Sequence, residues 1–476
     1  MLSQNSRMSS PNILLIHSDQ HRYDCLGANG HPFLKTPNLD RLAGEGVDFS
    51  HAFCPIPLCT PARSCLLSGQ WSFRHGCIAN SDTEAFRPMA EDTPVFSTAL
   101  RDRGYFLGYI GKWHVDAARG PTEYGFHTYT GERVYAGWRK NLGLPPVPRS
   151  NAWFGETDPH ITPEQSRLAW GADRVIDLLE ERSASQPPFF IRWDPSEPHL
   201  PNCVPEPYAS MYPAKMIPEW PGFRESFDRK PFIQRQQLHT WGLTDWTWDD
   251  WAPVVSRYLG EISLLDAQIG RVLEALDRSG AGKETLVVYT SDHGDMCGSH
   301  RMIDKHFVMY DDVVRVPLIM RPPGEAASGR ISDAFVSSAI DLASTICEVA
   351  GAVRPESFMG KSLLPLLGKE AERDNGRSDI FSAYHGNQFG LYSQRMVRDR
   401  RWKYVWNAVA EDELYDLEAD PGELMNRAAD PAASAELRRL QKRLVHWMEG
   451  TGDRLLNQWT RKQLEEGKKA GPARVP

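Results

Sequence analysis

Cys59 opens the stretch Cys59-Thr60-Pro61-Ala62-Arg63, and these residue types at this spacing suit an anion-binding helix start. Pro61 fits the first turn of a helix, where its missing N–H costs nothing. Gly69 fits just past the end of that helix. Residue 59 then stands where unpaired backbone amides and the helix dipole favour negative charge. Arg63, four residues on, faces the same side. A cysteine here has two plainer readings, a small buried hydrophobe or a metal-binding thiolate. Asp19 and Asp292 each follow an apolar run that reads as a buried strand, at the end where α/β sheets bind ligands.

The elements that must position these groups follow from the hydrophobic pattern. Short apolar runs at 12–17, 106–110, 189–193, 286–290 and 317–320 read as buried strands. Helical patterns lie between them, at 36–45, 94–103, 165–181 and 259–276. The alternation implies an α/β fold, a large and mainly parallel sheet sandwiched by helices. The polar stretch 368–379 marks a boundary, which divides the chain into a catalytic α/β domain, 1–375, and a C-terminal subdomain, 376–476. Hairpin-like runs at 393–398, 402–405 and 414–417 and a helix at 432–448 give the subdomain a small antiparallel sheet with a packed helix. The polar end, 450–476, reads as a mobile tail, with an oligomer arm as the alternative. Residues 201–253 are rich in proline and tryptophan, and read as a packed surface excursion or as a pocket wall or lid.

Composition narrows the partners. The 476 residues carry a net charge of −8, which argues against nucleic acid and anionic membranes. Any anion site must therefore concentrate its basic groups locally. The eight cysteines show no paired C-x-x-C units, and a chain this long needs no disulfide framework. The first eleven residues lack the apolar core of a signal peptide, and no run is long enough to span a bilayer. These features imply a cytoplasmic protein with mostly reduced thiols, a lost export signal being the alternative.

Five separated segments together resemble the type I, formylglycine-dependent sulfatases of the alkaline phosphatase superfamily. They are Ile16-His17-Ser18-Asp19-Gln20, the Cys59 segment through Ser68-Gly69, Gly111-Lys112-Trp113-His114, Glu197-Pro198-His199, and Ser291-Asp292-His293-Gly294-Asp295 followed by Lys305. Leu414-Tyr415-Asp416-Leu417 through Asp420-Pro421-Gly422-Glu423 resembles the C-terminal part of that family. The resemblance implies an alkaline phosphatase-like fold and hydrolysis of a small-molecule sulfate monoester. It implies oxidation of Cys59 to formylglycine by a maturation enzyme. It also implies a divalent metal held by Asp19, Gln20, residue 59, Asp292 and His293. Oxygen ligands suit calcium. Gln20 stands where a second aspartate is common and His293 where asparagine is frequent, and this makes manganese an alternative.

Roles carry over residue by residue. Arg63 orients residue 59, Lys112 and Lys305 bind sulfate oxygens, and Asp292 is the base for the attacking hydroxyl. His199 protonates the leaving alcohol, and His114 takes the proton that lets sulfate depart. Asn80 falls at a substrate-contacting position. Two rival functions remain: a phosphonate monoester or phosphodiester hydrolase of the same superfamily, and a binding protein whose Cys59 stays a thiol. A homo-oligomer is compatible with either.

Overall fold

The structure, a computed structural model, describes residues 10–182, 186–324, 329–368, 374–467 and 469. Eight strands form the main sheet: β1 (Asn12–Ser18), β2 (Val47–Phe49), β3 (Phe106–Gly111), β4 (Thr128–Gly131), β5 (Phe189–Asp194), β6 (Thr285–Ser291), β7 (Leu318–Arg321) and β8 (Arg330–Ser332). Their order is β8-β2-β7-β6-β1-β5-β3-β4. β7 runs antiparallel to both neighbours, and the other pairs are parallel.

Strand periodicity sorts side chains to two cores. In β1, Ile13 and Leu15 enter one apolar cluster while Leu14 and Ile16 enter another. Helices α1 (Pro37–Glu45), α2 (Cys59–Ser68), α3 (Phe96–Asp102), α4 (Arg167–Glu180), α5 (Trp248–Arg278) and α6 (Ser338–Val349) cover the sheet. α2, α3 and α6 pack on the Ile13/Leu15 face, and α1, α4 and α5 on the Leu14/Ile16 face. Both faces are covered, so the central strands are apolar throughout rather than alternating, as expected for a parallel sheet. Each fully buried Leu, Ile or Phe contributes about 1.5–3 kcal/mol.

A second, antiparallel sheet joins β9 (Ile380–Asn387), β10 (Gly390–Arg398), β11 (Trp402–Asn407) and β12 (Glu413–Asp416) in sequence order. It carries α7 (Ser434–Thr451) and α8 (Gln458–Leu464). Tyr404 and Trp406 of this sheet share one apolar cluster with Leu66 of α2.

Three expectations change. The strand β9 lies in the stretch after the polar boundary and was not among the expected hairpin runs. The long helix α5 begins at Trp248 rather than near 259, because Thr247 and Asp250 form a capping box ahead of Pro253. Pro253 then costs an internal hydrogen bond, but the buried Trp251, Val254 and Val255 around it hold the turn. The polar end is not free over its first part. Leu464 of α8 is buried, and Trp406 Nε1 donates to Gln463 Oε1 at 3.1 Å. Residues 369–373 of the expected boundary, and 468 and 470–476 of the expected tail, lie outside the described residues.

The tryptophan-rich excursion is packed. Trp251 is fully buried in a satellite cluster with Phe223, Leu238, Met296, Met302 and Ile303. Trp246 packs between Phe154 at 4.5 Å and Trp251 at 5.0 Å. This cluster braces the loop after β6 that carries Lys305.

Candidate active site

The site forms beyond the carboxyl ends of four adjacent strands, β6, β1, β5 and β3. Register fixes the placement. Ser18 of β1 pairs with Ser291 of β6, so Asp19 and Asp292 leave the sheet side by side. Gly111 of β3 pairs with Asp194 of β5, so Lys112 emerges beside that carboxylate. Gly111 has φ +102°, and a Cβ there would stand 2.1 Å from Asp194 O, so only glycine allows this approach.

α2 delivers Cys59 and Arg63 from the Ile13/Leu15 face. All ten of its residues are buried, and Gly69 ends it in the left-handed region at φ +60°. The helix start has a side-chain cap from afar: Thr60 N donates to Asn80 Oδ1 at 3.1 Å. Asn80 thus supports, through its side-chain oxygen, the helix that bears Cys59.

Cys59 Sγ lies 3.2 Å from His293 Nε2 and 3.7 Å from Asp19 Oδ1. Ligand atoms of Asp19, Cys59, Asp292 and His293 all fall within 4.8 Å of one another, and all four residues are buried. His293 Nδ1 meets Gly294 O at 2.9 Å and so donates to it, which leaves Nε2 as the nitrogen facing the cluster. Asp292 Oδ1 accepts from Gln20 N at 3.1 Å and from His293 N at 3.0 Å. Its Oδ2 is buried without a hydrogen bond, although Arg63 Nη2 is 3.0 Å away out of alignment. Gln20 has its carboxamide oxygen on Lys305 Nζ at 2.9 Å and its amide nitrogen on Asp295 and Asp304 at 2.7 and 3.1 Å.

Positive groups ring this cluster. Arg63 Nη2 donates to Asp19 Oδ2 at 2.8 Å, and Lys112 Nζ lies 2.7 Å from the same oxygen. Lys305 Nζ contacts His199 Nε2 at 2.9 Å and Asp304 Oδ1 at 3.0 Å. His199 Nδ1 donates to Leu200 O at 2.6 Å, so Nε2 is the nitrogen that accepts from Lys305. His114 stands two residues beyond Lys112 at φ +39°, and its Nδ1 is buried with no hydrogen-bond partner among the described residues. No contact ties it to the cluster among those residues.

The charges reinforce one another. Burial and Asp19 push the Cys59 thiol up, but Lys305, Lys112 and His293 outweigh them and hold it well below its usual range. Burial likewise opposes the Asp19 charge, and Lys112, His199 and Arg63 reverse that and hold the carboxyl well down. Burial disfavours the His293 cation, yet Asp292 and Cys59 raise the imidazole to about 9. The place of residue 59 is thus one where negative charge is stabilised, as the helix-start reading requires.

The sequence reading missed Asp194. It is fully buried at the end of β5, where Arg63 Nη1, Arg192 (2.6 and 2.7 Å), Tyr109 Oη (2.8 Å) and His17 (3.3 Å) converge on it. The signal that found Asp19 and Asp292, an acid closing an apolar strand, is also present in Phe189-Phe190-Ile191-Arg192-Trp193-Asp194. The C-terminal motif holds its place from outside the cluster. Tyr415 Oη accepts from Lys230 at 2.8 Å, and Glu423 Oε2 accepts from Asp311 N at 2.7 Å and Lys403 at 2.9 Å. This ties the second sheet to the segment that follows Lys305.

Comparison with known proteins agrees with this geometry. The sulfatase family profile matches residues 11–352, and a profile described as N-sulphoglucosamine sulphohydrolase, C-terminal, matches residues 298–450. The chain is 29% identical to an arylsulfatase of Clostridium perfringens, over 92% of this chain and 95% of that one. It is 30% identical to the multifunctional alkaline phosphatase superfamily protein PehA of Trinickia caryophylli, over 95% of this chain and 98% of that one. The phosphonate monoester hydrolase structure from Agrobacterium radiobacter superposes with a TM-score of 0.81 at 29% identity, over 93% of this chain and 96% of that one. With the profile covering most of its length and relatives matching nearly end to end, the chain belongs to the sulfatase family of the alkaline phosphatase superfamily.

Proposed function

We propose that this protein hydrolyses a sulfate monoester to an alcohol and inorganic sulfate, using residue 59 after its oxidation by a maturation enzyme. The observation that carries the reading is the buried Cys59 side chain, 3.2 Å from His293 and surrounded by Asp19, Arg63, Lys112 and Lys305. Formylglycine at this position supplies, as its hydrate, one hydroxyl that attacks sulfur and a second that expels sulfate. The four-ligand cluster fits a divalent cation, because Asp292 Oδ2 is buried without a hydrogen bond and His293 Nε2 points into the group. Asp19, Asp292, His293 and residue 59 would hold it, with Gln20 beside them on Lys305. Bound there, the cation neutralises charge on sulfate oxygens. Calcium suits the carboxylates, and the imidazole extends the choice to manganese.

The chain's own side chains do the rest. Arg63, fixed by Asp19 and Asp194, orients residue 59. Lys112 and Lys305 bind sulfate oxygens and stabilise charge as the ester bond breaks. His199 Nε2 accepts from Lys305 Nζ beside the cluster, and once protonated there it would give that proton to the departing alcohol. Asp292 takes the proton of the attacking hydroxyl. To His114, whose Nδ1 is buried without a hydrogen bond among the described residues, the family resemblance assigns the proton that leaves as sulfate is released. We assign these steps to a catalytic part, 1–375, supported by the smaller part, 376–476. The seven cysteines other than residue 59, all without a disulfide among the described residues, are compatible with a reducing, cytoplasmic setting. Among the described residues no helix is long and apolar enough to cross a membrane.

Two experiments test this reading. Peptide mass spectrometry across residues 55–63 should find the aldehyde in place of the thiol, and Cys59→Ala should abolish turnover. Unmodified cysteine throughout the protein from its own host would instead leave a binding role. The likeness to a phosphonate monoester hydrolase supports a second reading, cleavage of phosphorus esters. Parallel assay of an aryl sulfate, a phosphonate monoester and a phosphate diester decides: a dominant kcat/KM on either phosphorus ester overturns the sulfate assignment.

A further inference from the structure

A cavity of about 210 Å³ adjoins the site and shares Lys112 and His199 with it. It is smaller than the roughly 300–1,000 Å³ of drug-sized ligand pockets, so it suits the alcohol part of a compact ester. Its wall also carries Arg139, Arg149, Arg167, Asp158, Glu197 and Glu261.

The partners of these charges differ. Arg139 is neutralised by Asp158 in a two-pronged pair at 2.6 and 3.2 Å, and Lys112 is held by Asp19. Arg167 is fixed at one nitrogen only, its Nε donating to Glu197 Oε1 at 2.8 Å. Its Nη1 is 4.0 Å from Glu132 Oε2, beyond hydrogen-bond reach, and that oxygen already accepts from Ser196 Oγ. Neither terminal nitrogen of Arg167 makes a hydrogen bond among the described residues. A guanidinium anchored through Nε with a free terminal fork is the geometry that receives a carboxylate or sulfate two-pronged. Arg149 is exposed on the same wall and has no ion pair or hydrogen bond among the described residues. Burial and Glu197 raise the Glu261 carboxyl to about 8, which leaves it mostly neutral at pH 7. Arg149 is thus the wall charge with no partner among the described residues, and Arg167, though paired with Glu197, keeps its terminal nitrogens open to the cavity.

We propose that Arg167 and Arg149 form a second anion subsite in this cavity, which selects sulfate esters whose alcohol part bears a further anionic group, a carboxylate or a second sulfate. The inference rests on the sulfate-ester reading for its substrate, but its binding chemistry stands apart from residue 59.

The test compares matured enzyme on three substrates: a monosulfated uronic acid, the neutral hexose sulfated at the same position, and the disulfated hexose. Charge-assisted pairing predicts a kcat/KM about tenfold or more higher for an acidic ester than for the neutral one. In Arg149→Ala and in Arg167→Gln that ratio should fall toward one. Arg149 is exposed, so its variant stays informative if Arg167→Gln disturbs Glu197. The unsulfated uronate is titrated in parallel by calorimetry into wild type and Arg149→Ala, a readout that needs no turnover. If uronate binds through Arg149 while no sulfate ester is cleaved, the subsite stands and the sulfate reading falls. If all three esters are cleaved with equal kcat/KM, or the ratio survives in both variants, the subsite is refuted and the sulfate reading stands.

Discussion

Asp194→Asn is the most searching perturbation of this site. The change keeps side-chain size but removes the one carboxylate bonded to Arg192 Nε and Nη2, and it places an amide donor against donors from Arg63 and Tyr109. Arg63 keeps Asp19 and Asp292, whereas among the described residues Arg192 keeps no carboxylate, only a 3.4 Å contact with His17 and the Tyr109 ring at 5.1 Å. Breaking a fully buried ion pair from one side costs about 3–5 kcal/mol, because a charge is left uncompensated. At about 2.1 cal/mol/K per residue, 476 residues carry an unfolding entropy of about 1 kcal/mol/K. A loss of about 4 kcal/mol then lowers the thermal midpoint by about 4 °C. Differential scanning calorimetry of the two proteins in the same buffer and metal reads this shift. Turnover should fall as well, since Arg63 loses a fixed anchor. The pH dependence gives a second reading. Burial opposes the Asp194 charge, but Arg192, His17 and Arg63 hold its carboxyl well below the usual range. A depressed carboxylate stabilises the fold fully above its unfolded value of about 3.9, and this is lost as pH falls through the folded value. The gap between wild type and variant should be constant from about pH 5 to 8 and should narrow below about pH 4. A midpoint shift under about 1 °C with unchanged kcat/KM would refute the claim that Asp194 anchors the site.

Lys305→Ala should lower kcat by about 10²–10³, as loss of one positioned donor to a developing anion does, and steady-state kinetics on an aryl sulfate checks it. A change under threefold removes Lys305 from the site. Exhaustive chelation should abolish activity and lower the thermal midpoint. Restoring cation at about 100 times its Kd stabilises by about 2.7 kcal/mol, or about 3 °C for this chain, and comparison of calcium with manganese identifies the better fit. An unchanged midpoint on chelation removes the metal from the cluster. Gly111→Ala should destabilise by about 1–3 kcal/mol from its φ alone, with a further loss from the 2.1 Å approach to Asp194 O, and a wild-type midpoint would contradict the close packing of β3 on β5.

The sequence alone determined the kind of fold and the segments whose resemblance to the family drew attention to the site. Cys59, Arg63, Lys112 and Asp292 were singled out because each lies in a short motif, and motifs are local, whereas Lys305 was placed only by its order after the Asp292 segment. The strands were legible because burial on both faces leaves continuous apolar runs, and α2 because Pro61 and Gly69 mark its ends. Tertiary structure decided what lies between those segments. Asp194 becomes an anchor only once β5 pairs with β1 and β3, contacts that no local pattern encodes. Asn80 Oδ1 caps the helix of Cys59 from twenty residues away, because a buried helix start must find an acceptor somewhere. The tryptophans were left open between wall and packing. Large apolar rings read the same in either role until the loop of Lys305 closes over them. Spacing along a chain fixes which groups share a turn, whereas charge compensation is settled only by neighbours brought from far away, and so the free fork of Arg167 could be seen only in the folded protein.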